Sequence, residues 1–398
     1  MKDFIIKKLP LLTAVILLIF AVAISGLTKQ NKTEIKTLKT AGAAVSDKEI
    51  RGLWVTYMDL NMSGTDRSYT AFKDKFNHIA DTAKADKFNT LIVQVRPFSD
   101  ALYNSSVYPA SHVLSGKQGK SCGYDALSYM TEYARKIGMR IEAWVNPYRI
   151  RNDKSLKLSA DNPYKKDKSI GKSFNNGLFL NPASSKARKI IESGVREIVK
   201  NYDVDGIQFD DYFYPSGVNK SFDKDEYSAY KNSVGSDKAL SLANWRTANV
   251  NVLIDDCCTI AHKYGKTFGI SPQGNLDNNY HLYADVKSWC QNSGYIDYIC
   301  PQLYFSLKNP ALKFEDALKS WLDLDFAEDV KLYIGIAGYK TGTDLDSGTW
   351  NGSDTILKNE LKLIRKSKIK GFMLYSYADL ESDRASKEIV NLVNGIEN

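Results

Sequence analysis

The stretch Asp205-Gly206-Ile207-Gln208-Phe209-Asp210-Asp211-Tyr212-Phe213-Tyr214 decides how the chain reads. A short apolar run ends abruptly in two carboxylates and three aromatic residues. Alternation with period two puts Gln208 and Asp210 on one face of a strand and Phe209 on the other. If Phe209 packs against a helical layer, Asp210 faces the opposite side at the strand's C-terminal end. The same unit, a β-branched or aromatic run followed by a loop and a stretch of helical period, recurs on both sides. Strands are expected over 51–57, 90–96, 140–146, 205–210, 267–271, 298–304, 331–337 and 371–377. Helical period fills 70–87, 125–137, 184–202, 239–264, 284–292, 314–324, 354–367 and 382–393. Gly138 and Gly265 fall where helix C-caps are expected, two residues before a strand. Eight alternating units predict the α/β class and a closed (β/α)8 TIM barrel rather than an open doubly wound sheet.

A barrel of this kind carries its active site at the C-terminal ends of the strands and in the loops after them. Arg96, Asn146, Asp210, Gln302, Tyr304 and Tyr377 all fall at such ends. Two long connections, 147–183 and 212–238, carry Tyr148, Tyr164, Phe174, Tyr212, Phe213 and Tyr214 and are expected to wall a binding site. A carboxylate in an aromatic pocket has its charged form disfavoured, which suits a proton donor near neutral pH. Asp210 fits that description, with a structural ion pair to Arg96 as the alternative. Asp211 reads as its neighbour or as a turn or capping aspartate. Glycosidic cleavage generally needs two carboxyl groups across the bond. Neighbours on one strand point apart, so Asp210 and Asp211 make an awkward pair on this reading. Glu142 shares a strand face with Trp144 and Asn146 and is the second candidate, or else a buried ion-pair partner, since it lies four residues before the strand's end. Asp100, Asp277 and Glu381 are loop carboxylates that spacing does not separate.

The remaining sequence narrows the class. The 398 residues are 43% hydrophobic, 25% charged and 12% aromatic, with 10 Pro and 25 Gly, the balance of a globular chain. The net charge of +8 is scattered rather than gathered in a basic stripe, so no nucleic-acid partner is expected. Four histidines without HxH or HExxH spacing, and the absence of a GxSxG elbow, argue against zinc hydrolases and serine esterases. Neither metal nor cofactor is expected. Gly116 to Ser121 imitates a phosphate loop, but the motif's first glycine would fall at Leu114. Five cysteines, at 122, 257, 258, 290 and 300, suit incidental core positions better than a disulfide framework. Lys7 and Lys8 precede an apolar run from Leu9 to Ile24, and Ala21-Val22-Ala23 offers an A-x-A-like cleavage site. Residues 1–27 therefore read as a signal peptide or membrane anchor, 28–48 as a polar linker and 49–398 as the barrel. An extracytoplasmic protein is expected, secreted or tethered, touching membrane only through this N-terminal segment.

Four ordered motifs carry a resemblance: Arg51-Gly52-Leu53-Trp54-Val55, Asn89 to Pro97 with Asp100-Ala101-Leu102-Tyr103, Glu142 to Arg149, and Asp205 to Tyr212. With Ile270-Ser271-Pro272 and Pro301-Gln302-Leu303-Tyr304, they are similar to the glycosyl-hydrolase-like family ten, which includes the divisome-localised glycosyl hydrolase of Gram-negative bacteria. The resemblance runs from about Glu49 to the C-terminus. It implies a TIM-type barrel acting on bacterial polysaccharide, with peptidoglycan glycan strands, particularly peptide-free ones, as substrate. The lipoprotein cysteine of the Gram-negative member has no counterpart here. The expected activity is glycoside hydrolysis with Asp210 as acid/base and Asp211 and Glu142 as further catalytic candidates. Arg96, Asn146, Tyr148, Gln208, Tyr212, Gln302, Tyr304 and Tyr377 are the expected sugar-binding residues. A substrate-assisted route, in which an N-acetyl group replaces the enzymic nucleophile, would dispense with a second carboxylate. A non-catalytic carbohydrate-binding barrel and a hydrolase of another exopolysaccharide are the alternatives.

Overall fold

Eight parallel strands form the barrel in the computed structural model, which describes residues 48–64 and 66–397. They are β1 (Ile50–Val55), β2 (Thr90–Arg96), β3 (Arg140–Val145), β4 (Gly206–Phe209), β5 (Thr267–Ile270), β6 (Tyr298–Ile299), β7 in two pieces (Lys331–Leu332 and Ile334–Ala337) and β8 (Gly371–Tyr375). Each pairs with the next in sequence, and β1 pairs back onto β8 with Ile50 level with Gly371. Strand β7 completes the ring. Its first piece pairs with β6 and its second with β8, and Tyr333 between them donates its amide to Ile299 O at 2.9 Å. The expected 298–304 strand shrinks to two residues and two isolated bridges at Gln302, because Pro301 has no N–H to give the ladder. The expected strand to 377 stops at Tyr375, where the chain enters a short 3-10 turn over Tyr377–Asp379.

The helices follow the strands as the periodicity predicts. Expected boundary residues Asp125 and Ser184 are N-caps, their side chains accepting from the amides of Ser128 and Ala187. The helix Ile356–Lys366 turns Ile356, Leu357, Leu361 and Ile364 inward, one stripe on an otherwise charged surface. That outer layer is the main apolar core. Inside the barrel lies a second, smaller cluster of Ile50, Trp54, Ile92, Trp144, Tyr298, Cys300, Tyr333 and Met373. Its large side chains need room, which glycines paired beside them on neighbouring strands supply: a Cβ at Gly269 would sit 2.0 Å from the Tyr298 ring, and one at Gly52 would sit 2.6 Å from Met373 Cγ.

The two long connections carry structure of their own. The first holds a three-stranded antiparallel sheet of Arg149–Arg151, Gly177–Leu180 and Gly171–Phe174, in that spatial order. The second holds the helix Lys224–Val234. This second wall is anchored through Asp223, which takes a bidentate pair from Arg246 of the helix Leu242–Lys263, both side chains fully buried. The expected leader (1–27) lies outside the described residues, as does all of the expected linker but Lys48. Among the described residues no helix is long and apolar enough to cross a membrane.

Candidate active site

Strand β4 delivers the central group. Its last inward residue, Gln208, sits mid-barrel, and two residues later Asp210 reaches the mouth, 3% exposed. Asp210 Oδ2 accepts from Asn146 Nδ2 and, at 3.3 Å, from Trp144 Nε1, while Oδ1 accepts from the Tyr212 amide at 3.3 Å. Burial, reinforced by the neighbouring Asp211 carboxylate, pushes the Asp210 pKa up to about 7. Arg149 and the donors of Tyr212 and Trp144 pull the other way without cancelling it.

Asp211 departs from the expectation that neighbours on a strand point apart. Hydrogen-bonded strand geometry ends at Phe209, so Asp211 is free of strict alternation and turns into the same mouth. Gln273 Nε2 donates to its Oδ2, and Gln302 Nε2 lies 3.5 Å from its Oδ1 while donating to Ser271 O at 3.0 Å. Burial raises its pKa too, opposed first by Gln273. Two adjacent buried carboxyls of raised pKa titrate as a unit, and below about pH 7 a proton stays on the pair.

Glu142 does not join them. It lies on β3 four residues before Asn146, about 13 Å back along the strand at a rise of ~3.3 Å per residue. There Arg140 lies 3.4 Å from its Oε1 and the Tyr298 hydroxyl donates to its Oε2, which is the ion-pair alternative of the sequence reading. Gln208 belongs to the same interior network, accepting from Trp54 Nε1 at 2.6 Å and donating to Tyr298 Oη at 3.0 Å, so it braces the barrel rather than facing a ligand.

Four other expected sugar contacts are corrected. Arg96 lies beyond a register shift in which Gln94 faces Trp144 but Arg96 faces Val145. The irregularity turns it outward, where it donates to the carbonyls of Asn146 and Pro147 at 2.7 and 3.0 Å and lies over the Tyr108 ring. It is not the partner of Asp210. Asn146 is fully buried with both amide ends engaged, receiving from Gln94 at 2.6 Å and giving to Asp210, so it positions the carboxylate. Tyr148 is sealed in the outer core, 1% exposed. Tyr377 is buried in the turn after β8, its hydroxyl engaged with Glu381. Gln302, Tyr304 and Tyr212 do lie at the mouth, Tyr212 with 54% of its surface exposed.

The inward position at the end of β8 belongs to Tyr375, two residues earlier than expected. Its ring lies between Trp54, Trp144, Tyr304 and Tyr339 at centroid distances of 6.1, 6.4, 5.9 and 5.9 Å. Continuing the inward parity of Gly371 and Met373 would have found it. Gln273, Arg149 and the rim carboxylate Asp59, whose Oδ2 accepts from the Thr56 amide and hydroxyl at 2.7 and 2.8 Å, are likewise not among the expected site residues. The mouth opens at Asp211 into a groove of about 1060 Å3. Its walls are the small sheet (Arg149, Phe174, Phe179) and the loops after β4 and β5 (Tyr212, Tyr280, Tyr283).

Among the described residues, one group of three side chains could hold a metal ion: Cys258, His262 and Asp297. It lies at the opposite end of the barrel, since Asp297 immediately precedes β6 and its Oδ2 takes the amide of Phe268 near the start of β5. His262 Nε2 is 2.9 Å from both Asp297 oxygens, an interaction that by itself ties helix to strand. No disulfide joins the cysteines, and four of the five are buried.

Residues 49–350 match the family model described as Glycosyl hydrolase-like 10. The chain is 35% identical to Glycosyl hydrolase YngK of Bacillus subtilis over 85% of its length and 70% of that protein's. It is 32% identical to Glycosyl hydrolase DigH of Escherichia coli, over 80% of each. Among solved structures it resembles the glycoside hydrolase domain of PgaB from Bordetella bronchiseptica, with a TM-score of 0.57, 12% identity and coverage of 85% of this chain and 98% of that one. The catalytic domain of a Paenibacillus polymyxa β-amylase gives 0.58 at 11% identity, covering 88% of this chain and 99% of that one. At such identities these two likenesses speak for the barrel alone.

Proposed function

The chain belongs to the glycosyl hydrolase-like 10 family and is a glycoside hydrolase, and from that premise we propose that it cleaves polymers of 2-acetamido sugars, in particular peptidoglycan glycan strands outside the cytoplasm. The observation that carries the reading is the adjacent buried pair Asp210–Asp211, with a raised pKa on both and separate sets of donors holding each. Asp210 holds the shared proton and gives it to the glycosidic oxygen as the C1–O bond breaks. Asp211, fixed by Gln273, accepts the acetamido N–H, so that the substrate's own carbonyl oxygen closes on C1. Water then opens the cyclic intermediate at C1 and its proton returns to Asp210, releasing a hemiacetal with retained configuration. Tyr375, half-buried at the mouth and backed by Trp54 and Trp144, offers a flat apolar face to the pyranose ring. The charged and apolar N-terminal segment supports export.

The test separates the two carboxylates. Asp210→Asn lowers release of new reducing ends from purified glycan strands by about 10²–10⁴-fold. The same variant keeps most of its activity on an aryl 2-acetamido glycoside whose leaving group departs without a proton. Asp211→Asn loses both activities. Full glycan cleavage by Asp210→Asn removes that residue from the mechanism.

A further inference from the structure

Arg149 reaches the groove from the first strand of the small sheet and stands beside the carboxylate pair without pairing to it. Its Nε donates to Pro97 O at 2.7 Å. Its guanidinium lies over the rings of Phe98 and Tyr212, 5.0 and 5.5 Å from their centroids. Among the described residues no carboxylate comes within salt-bridge distance of it, and its two terminal nitrogens carry no hydrogen bond. A guanidinium has five donors in a rigid fork that matches a carboxylate in bidentate geometry. Here one donor is used, two aromatic rings pack against the guanidinium, and Arg149 lines the groove together with Asp211. A half-buried cation kept off two nearby carboxylates is suited to an anion that arrives with the ligand.

We infer that Arg149 is a specificity-determining residue that pairs with a carboxylate on the sugar bound beside Asp211. The inference rests on the glycan-hydrolase reading and sharpens it. Pyranose carboxylates come as the lactyl ether of a muramyl residue or as a C6 uronate. The acetamido chemistry of the site selects the first. When a stem peptide is attached, that lactyl carboxyl is a neutral amide. Arg149 therefore distinguishes peptide-free from peptide-bearing strands by one charge. Occupation by an anion also removes the pull that Arg149 exerts against protonation of Asp210, so the acid is held in its working form once substrate is bound.

The experiment compares three polymers with the wild-type full chain: peptide-free peptidoglycan strands, the same strands with lactyl carboxyls converted to methylamides, and a polymer alternating acetamido sugars with uronates. The free-acid strands are expected to show kcat/KM about tenfold or more above the amidated ones, the size of one charge-assisted hydrogen bond. In Arg149→Gln that ratio falls towards one. Equal cleavage of acid and amidated strands by the wild type overturns the role of Arg149 and leaves the hydrolase standing. Preference for the uronate polymer overturns the lactyl assignment. If no polymer is cut, the hydrolase reading itself fails, and binding of the acid and amidated strands to Asp210→Asn then decides Arg149: equal Kd values overturn it, tighter binding of the acid strands upholds it.

Discussion

Asp210 shows how one residue's environment sets its titration and, through it, stability. Its ordinary carboxyl would be ionised above pH 4, whereas in the fold it stays protonated to about pH 7. Between those values the unfolded chain binds fewer protons than the folded one at this site, so its contribution to stability falls as pH rises and levels off above about 7. Urea denaturation of wild type and Asp210→Asn at pH 4 and pH 7.5 is expected to show a smaller loss of stability across that interval in the variant. The free-enzyme profile of kcat/KM is expected to decline on its alkaline side with a midpoint near the same value. An alkaline limb unchanged in Asp210→Glu would argue that another group donates the proton. At this scale the sequence exposes chemical character but not direction. Asp210 is visible as a carboxylate at a strand end. Arg96 is equally visible, yet one register irregularity in β2 turns it out of the mouth, and alternation assumes an unbroken ladder.

Among the elements, the boundaries most legible in sequence are those written in local chemistry. Ser184 and Asp125 mark helix starts because their side chains satisfy amides three residues on. What escapes is structure within the long connections, where short strands carry too little periodic signal. The strand that presents Arg149 is held by pairing far along the chain, Arg149 with Phe179, whose strand also pairs with Lys172. The opposite wall hangs on the buried Arg246–Asp223 pair. Arg246→Ala would strand Asp223 among apolar neighbours and cost about 3–5 kcal/mol. Chemical denaturation would register it, together with a raised KM on glycan strands as the wall loosens. An unchanged unfolding midpoint would show that the wall is held by something else.

For the molecule as a whole, closure depends on fitting large rings inside a narrow cylinder. Gly269→Ala is expected to cost about 1–3 kcal/mol or more, because its Cβ would force the Tyr298 ring aside and with it the hydroxyl that joins Gln208 to Glu142. A lowered thermal midpoint with a retained parallel-barrel circular dichroism spectrum would be the signature, and wild-type stability would contradict the packing account. The amino-acid sequence by itself determined the eight alternating units, the strand that leads into Asp210 and Asp211, and the family motifs. These are short-range properties: period, capping and the polarity of strand ends. Only the tertiary structure decided which side chains share the mouth. It brought Asn146, Gln273 and Gln302 onto the carboxylate pair, exchanged Tyr377 for Tyr375, sent Glu142 to the floor and set Arg149 beside the acids. Those outcomes follow from ladder register, strand ends and barrel closure, which sum contacts between residues far apart in the chain, so no local stretch of sequence contains them.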